Sequence, residues 1–396
     1  MKVAIVSSDN SNVVRYGGKH VHQNLLKKGL EEHGVDVKTF YPEILFSVNA
    51  SKIQNLLFYI KKNPLAIFSI YKRVNVPLVV LTDFFKNIKF EEFDIVHCQD
   101  PVASYAVKSS RKILTLHGYL SKEISDNLPK NFPNDLKYKI LDTYYNIERE
   151  SLLDVKHIIA VDSRIKDYVL REFGYDRNNV TVLHNAIDTE RFKPVIVEEK
   201  TKLRKKLGIP ENPLVILVPR RYVNKNGVLV AAEAFKELDD GSMFFVFIGG
   251  GSLKEDIVKI LSKNKNTMIL DSIPNEKVHE YYQASDVVLI PSINSNDIEE
   301  ASSLSMLEGM SCGKIVVCSN IGGMKEIVKD GLTGVLVEEK NVQAIRETIK
   351  EIKSNFDKYG PLGQNAREYV LKNHSYIDHA RKVIEIYKKV LSNEKT

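Results

Sequence analysis

The sequence predicts an α/β protein built from two doubly wound, Rossmann-like domains. Three observations carry that reading. Short uninterrupted apolar runs alternate with amphipathic stretches, the pattern of a parallel sheet covered by helices on both faces. The alternation pauses near residues 193 to 199, around RFKPVIVEEK, and then resumes. The chain has 396 residues, too many for one core and enough for two of about 180 residues each.

The elements follow in order. KVAIVSS is a first strand, a turn at Arg15 to Gly18 follows it, and a helical pattern runs from Lys19 to about His33. Gly34 closes that helix and VDVKTF is the next strand. FDIVHC, KILTLH, HIIAVD and VTVLHN are further strands, with LKYKILDTYYNIERESLL a helix among them. After the pause come the strand PLVILVP, the helix NGVLVAAEAFKEL, and the strand MFFVFIG ending at Gly249-Gly250-Gly251. DVVLIPS and KIVVCS are two more strands, and YIDHARKVIEIYKKVLSN is one amphipathic tail helix. The expected division is 1–192, 193–375 and a tail at 376–396.

Composition excludes several classes. The three cysteines, Cys98, Cys312 and Cys318, have no metal-ligand spacing and build no disulfide framework. MKVAIVSSDN lacks the apolar length of a signal sequence, and no run reaches the roughly 18 apolar residues of a membrane span, so a cytoplasmic protein is expected. The net charge is +6, and the window 51–90 carries seven basic residues against one acid, Asp83. That basic, aromatic-rich window suits either an anionic membrane surface or solvated helices packing their apolar faces inward. The basic residues sit among aliphatics without a nucleic-acid motif, so no nucleic-acid partner is expected.

Sheets of this kind bind ligands outside the carboxyl ends of their strands, and two such domains offer the cleft between them. The residues that matter are therefore Gly17-Gly18, His117, Arg220-Arg221, Gly249 to Gly251, and the segment EEASSLSMLEGMSCG. In that segment Ser302 or Ser303 is a good N-cap for a helix running to about Met310. Glu300 then lies in front of the helix and Glu308 more than a turn inside it. Between them the free amides and the positive helix end make an anion site, flanked by carboxylates that accept hydroxyl hydrogen bonds. One ligand satisfies the whole segment: a nucleotide diphosphate sugar. Arg220, Arg221 and Lys225 in PRRYVNKNG supply cations for a departing diphosphate. No Asp-x-Asp magnesium holder occurs, so the expectation is no metal and no cofactor, the nucleotide sugar being a substrate. His117 ends a strand and is suited to a sugar hydroxyl or to packing. His97 reads as part of a structural turn with Asp100 and Pro101, and His184 as a loop-positioning residue.

These landmarks together resemble the retaining glycosyltransferases of family 4, with the GT-B fold. The resemblance rests on Gly17-Gly18, HNAIDTERFKP, PRRYVNKNG, FIGGGSLKEDI, YYQASDVVLIPS and Glu300-x7-Glu308 continued by GMSCGKIVVCSNIGGMKEIVKDGLTGVLV, in that order along nearly the whole chain. It implies that Glu308 bonds the nucleotide ribose and Glu300 the donor sugar. Arg220 and Lys225 would hold the diphosphate together with the amides of Leu304 and Ser305. Gly18 would approach the phosphate, Gly249 and Ile273 would flank the donor, and Gly17 and His117 would serve the acceptor, with His117 beside the reacting sugar and catalytic together with Arg220, Lys225 and Glu300. The acceptor would be a glycan, a lipid-linked molecule or a small molecule. The tail helix would cross back to the first domain. Departures are Ala301-Ser302-Ser303 where many members have Gly-Phe-Gly, an inserted Asn226, which leaves Arg220 and Arg221 as rival phosphate ligands, and Ala186 for a glycine. The rival readings are a nucleotide-sugar epimerase or hydrolase of the same fold, and a nucleotide-binding module without turnover.

Overall fold

A computed structural model describes residues 1–9, 18–42, 81–128, 133–295 and 298–393. Gly17 and residues 51–80 of the basic window lie outside them. The chain divides into two units, Met1–His184 with His379–Thr396, and Asn185–Asp378.

The first unit holds a six-stranded sheet in the order β2-β1-β3-β4-β5-β6. Its strands are β1 (Lys2–Val6), β2 (Asp36–Phe40), β3 (Ile95–Cys98), β4 (Lys112–Leu116), β5 (His157–Ala160) and β6 (Val180–Val182). All pairs are parallel. Around them lie α1 (Gly18–Glu32), α2 (Pro101–Ala106), α3 (Leu120–Asn127), α4 (Asn134–Leu153) and α5 (Ser163–Phe173). Strands β3, β4 and β5 are buried at every residue, as a sheet covered on both faces requires. Asp100 caps α2 through the Ala103 amide at 2.8 Å, with Pro101 in the first turn.

The second unit repeats the plan with the order β12-β11-β10-β7-β8-β9. Its strands are β7 (Leu214–Pro219), β8 (Met243–Ile248), β9 (Thr267–Leu270), β10 (Val287–Ile290), β11 (Ile315–Ser319) and β12 (Val335–Val337). Its helices are α6 (Val197–Leu207), α7 (Val228–Phe235), α8 (Lys254–Ile260), α9 (Asn275–Ala284), α10 (Leu304–Ser311), α11 (Met324–Ile327), α12 (Val342–Ser354) and α13 (Phe356–Asn373). The sheet is again wholly parallel.

A last helix, α14 (Tyr376–Asn393), lays Ala380, Val383, Ile386, Tyr387 and Val390 against Val3, Ile5, Leu26, Ile95 and Ile113 of the first unit's core. Tyr387 is fully buried, and its hydroxyl hydrogen-bonds His97 Nδ1 at 2.7 Å. The other ring nitrogen of His97 meets the Thr115 hydroxyl at 2.7 Å. His97 thus latches the tail helix rather than shaping the Asp100 turn. In the described part of the basic window, Leu81, Phe85 and Phe90 are buried while Lys86 pairs with Asp83 at the surface.

The sequence pattern omits β9 and β12. Both are edge strands of three or four residues with mostly half-buried side chains, so their apolar runs are too short to stand out. It also omits α6, whose VEEKTKLRKKL is polar almost all round and whose buried residue is Arg204. That guanidinium bonds the Ala284, Glu211 and Pro213 carbonyls and Asp286.

Candidate functional site

In the second unit the chain reverses its winding direction between β7 and β10, and the loops after these strands diverge there. Arg220 is the first residue after β7, and its side chain is buried in this crevice. Its Nη2 donates to Glu300 Oε2 at 2.7 Å, Asn226 Oδ1 at 2.7 Å and Ser292 Oγ at 2.9 Å. Nη1 reaches Ser303 Oγ at 3.2 Å. Four side chains, from the loops after β7 and β10, therefore meet on one guanidinium. Asn226, the inserted residue of this loop, is one of its ligands and also ties back to the Arg221 carbonyl at 2.8 Å.

Glu300 and Arg220 are thus partners of one another. Burial alone pushes the Glu300 carboxyl up, but Arg220, Lys225 and Arg221 together hold it below its ordinary value. Arg221 is exposed and Lys225 half-buried. Among the described residues Lys225 forms no ion pair.

Helix α10 begins at Leu304. Ser303 occupies the N-cap position, but its hydroxyl does not cap the helix; it receives Arg220 instead. Ser302 is engaged from the other side, its hydroxyl accepting the Asn185 amide at 3.0 Å and its carbonyl the Asn185 side chain at 2.8 Å. The capping role expected of Ser302 or Ser303 is therefore replaced by loop anchoring. The first intrahelical bond runs from the Leu307 amide to the Ser303 carbonyl. The amides of Leu304, Ser305 and Met306 precede any helical acceptor. The Ser305 hydroxyl ties the helix start to the Pro219 carbonyl at 3.1 Å.

Glu308 is buried one turn further along α10. Its Oε2 accepts from the Tyr282 hydroxyl at 2.5 Å. Burial raises the carboxyl to about 7, against the opposing pull of that hydrogen bond and of Arg191 and Arg220.

Two glycines set the loops. A Cβ on Gly249 would stand 2.0 Å from the Arg220 carbonyl, so the β8 loop lies directly on the β7 loop. A Cβ on Gly323 would stand 2.9 Å from the Ala301 carbonyl carbon, and the Gly323 amide bonds the Glu300 carbonyl at 3.0 Å. The Gly322 amide holds Glu299 Oε2 at 2.8 Å. The stretch after β11 is therefore the cradle of the Glu300 loop. Ile273, after β9, is half-buried against the core that contains Met306 and Leu307.

In the first unit the sheet reverses between β1 and β3. Gly18 starts α1, and the next residue, Lys19, bridges Asp9 and Asp100, with Nζ 3.1 Å from Asp100. Asp100 also takes the Ser8 amide at 2.9 Å. His117 lies at the end of β4, half-buried, with its ring edge-on to His22 at 4.7 Å. Its Nε2 is 3.4 Å from Gln99 Oε1. Burial first, then the charges of His22 and Lys19, push His117 well below the usual histidine range, so the ring is neutral near pH 7. Glu148, buried on α4, accepts the Leu120 amide at 3.0 Å and the Ser121 hydroxyl at 2.9 Å, pinning the start of α3 three residues after His117.

Arg220, Glu300, Ser305 and Gly249 are thus brought together at one switch point. Lys225 and Glu308 are close enough to feel its charges. Asn185, Tyr282, Ser292, Gly322 and Gly323 belong to the same assembly, and the motif reading missed their roles. Asn185 and Tyr282 stand inside the quoted HNAID and YYQASD stretches, so their location was visible but their partners were not. The three cysteines are buried and free, and burial pushes each thiol up to about 12, which leaves no thiolate at neutral pH. Among the described residues no group of three or more His, Cys, Asp or Glu side chains is arranged to hold a metal ion. No described helix is long and apolar enough to cross a membrane.

Comparison with known proteins completes the picture. Residues 199–369 match the profile "Glycosyl transferases group 1", and residues 16–191 match "Glycosyltransferase Family 4". An uncharacterized glycosyltransferase of Methanocaldococcus jannaschii, MJ1607, is 24% identical over 306 residues, 75% of this chain and 76% of its own. The Escherichia coli UDP-Gal:alpha-D-GlcNAc-diphosphoundecaprenol alpha-1,3-galactosyltransferase is 24% identical over 334 residues, 79% of this chain and 80% of its own. Among solved structures, Anabaena Alr3699/HepE in complex with UDP-glucose superposes with a TM-score of 0.69 at 16% identity, covering 98% of this chain and 99% of that one. With two six-stranded parallel sheets of this order and profile matches across both halves, the chain belongs to the group 1, family 4 glycosyltransferases and has their GT-B fold.

Proposed function

We propose that this glycosyltransferase moves a hexose-type sugar from a nucleotide diphosphate sugar to an acceptor hydroxyl, with retention of configuration and without a metal ion. The observation that carries the reading is the switch point of the second unit. There a buried Arg220, the half-buried Lys225 and the start of α10 surround Glu300, with Glu308 behind them.

The chemistry follows from charge. Breaking the sugar–diphosphate bond leaves negative charge on the phosphate oxygens. Lys225, the positive face of Arg220 and the amides of Leu304 and Ser305 offset it in a site that excludes much of the water. Glu300 stays ionised beside Arg220 and accepts hydroxyl hydrogen bonds from the donor sugar; Glu308 does the same for the ribose. The acceptor oxygen attacks the anomeric carbon from the side the diphosphate leaves, and the departing phosphate oxygen takes its proton. That route asks for no carboxylate nucleophile. In the first unit, neutral His117 offers a hydroxyl partner to the acceptor. The E. coli relative is named for a UDP-linked galactose and a diphosphoundecaprenol acceptor, which supports a uridine nucleotide as the first donor to try and a lipid-linked acceptor for the basic window at 51–90.

A thermal-shift panel of UDP-, ADP- and GDP-sugars, each with and without chelator, tests the reading. Ligands of the folded state raise Tm by mass action. One nucleotide class should shift Tm equally with and without chelator. A shift that appears only with a divalent ion would overturn the metal-free mechanism. No shift from any sugar nucleotide would overturn the donor assignment.

A further inference from the structure

We propose that Tyr282 is the positioning residue of the nucleotide site: its buried hydroxyl occupies one oxygen of Glu308 and leaves the other to take the ligand's hydroxyls. The inference rests on the reading of Glu308 as a ribose acceptor.

Three observations converge. Tyr282 has no solvent exposure, its ring packs edge-on to Phe192 at 5.6 Å between centroids, and the Ser305 hydroxyl neighbours its own. The Tyr282 hydroxyl donates to Glu308 Oε2 at 2.5 Å. No described donor reaches Oε1. Side chains on separate helices, α9 and α10, are thus joined by one charge-assisted bond, and the geometry sets which carboxylate oxygen stays open.

The bond also governs the charge state. A carboxyl accepts two hydroxyl hydrogens well only when ionised. Burial opposes ionisation of Glu308, while Tyr282, Arg191 and Arg220 favour it. Other charged or titratable groups nearby are the Cys312 thiol at the end of α10, which stays protonated, Lys314 beside it, Arg367 on α13, which bonds the Ser311 and Phe192 carbonyls, and His279 on α9, whose ring faces Phe192. The Tyr282 phenol is itself held well above its ordinary value by burial and by Glu308, so it remains a donor at any working pH. Without it, Glu308 loses its one described hydrogen-bond donor and ionises at higher pH.

The test is the pH dependence of donor affinity. A nucleotide diphosphate glucose is used, since it has no terminal phosphate titrating near neutrality, with the base chosen by the panel above. For the wild type, affinity should rise as pH passes through about 7, following Glu308. In Tyr282→Phe the midpoint should move up by about one pH unit, with affinity near pH 9 approaching that of the wild type. Replacing Tyr282 by 3-fluorotyrosine, a more acidic donor of nearly the same shape, should move the midpoint down; this arm stands even if the phenylalanine variant folds poorly. An unchanged midpoint in either variant would overturn the positioning role. Glu308→Gln should bind more weakly and show no step near neutrality. If it binds like the wild type with the same step, the ribose reading of Glu308 fails, and the Tyr282 inference fails with it.

Discussion

Arg220 and Lys225 stand five residues apart in one loop and are built for different tasks. Arg220 is enclosed by Glu300, Asn226, Ser292 and Ser303, so its substitution would leave a buried carboxylate without its partner. Lys225 has no ion pair among the described residues, and folding asks little of it. Lys225→Ala should therefore lower turnover by about two orders of magnitude while shifting Tm by no more than a surface substitution does; steady-state rates and a thermal scan check both halves. Glu308 makes the opposite trade. Its folded carboxyl titrates near 7, above the ordinary carboxylate value, so the native state binds the extra proton between these limits. Its contribution to stability is present at low pH and is lost as pH rises through about 7. Glu308→Gln should gain in Tm over the wild type as pH rises from 5 to 8.5, while binding donor more weakly. The charged members of the site were legible in the sequence because acids, arginines and lysines beside strand ends have few structural duties there. Tyr282 and Asn185 were not, because an aromatic or an amide in an apolar neighbourhood reads as packing until its partner is known.

At the scale of elements, the Glu300 loop is held from outside itself. Asn185 grips Ser302, Gly322 grips Glu299, and Gly323 lies against Ala301. A Cβ at position 323 would force that loop to move, since the contact is with backbone rather than with a flexible side chain. Gly323→Ala should lower turnover more than tenfold, by displacing Glu300 and Arg220 together, and weaken nucleotide affinity less, because Glu308 sits on α10 beyond the disturbance. Kinetics beside equilibrium binding separate these. The long buried strands and the α10 segment could be read from apolar runs. The edge strands β9 and β12 could not, being short and half-buried, and α6 gave only a thin stripe because its buried anchor is Arg204, with Leu203 and Leu207 half-buried beside it.

Over the whole molecule the two units respond differently to pH. The first buries neutral histidines: burial lowers His97 to about 3 and His157 to about 4, and holds His117 well below its usual range. The unfolded chain binds protons that these folded rings refuse, so their contribution to stability is lost as pH falls below about 6.5. In the second unit Glu308 gains a proton over the same interval, against the opposing effect of His279, which burial also lowers. Calorimetry at pH 5 and pH 7.5 should show the transition containing the first unit and α14 moving down on acidification, with the second unit's transition moving less. A downward shift confined to the second unit would contradict this. In the proposed function the switch point of the second unit holds a nucleotide diphosphate sugar through fixed cations, amides and carboxylates. Titration calorimetry of the responsive sugar nucleotide, in chelator at pH 8, against the wild type and Glu308→Ala tests it most directly. The wild type should bind, and the variant should bind at least tenfold more weakly. Equal affinities would contradict it.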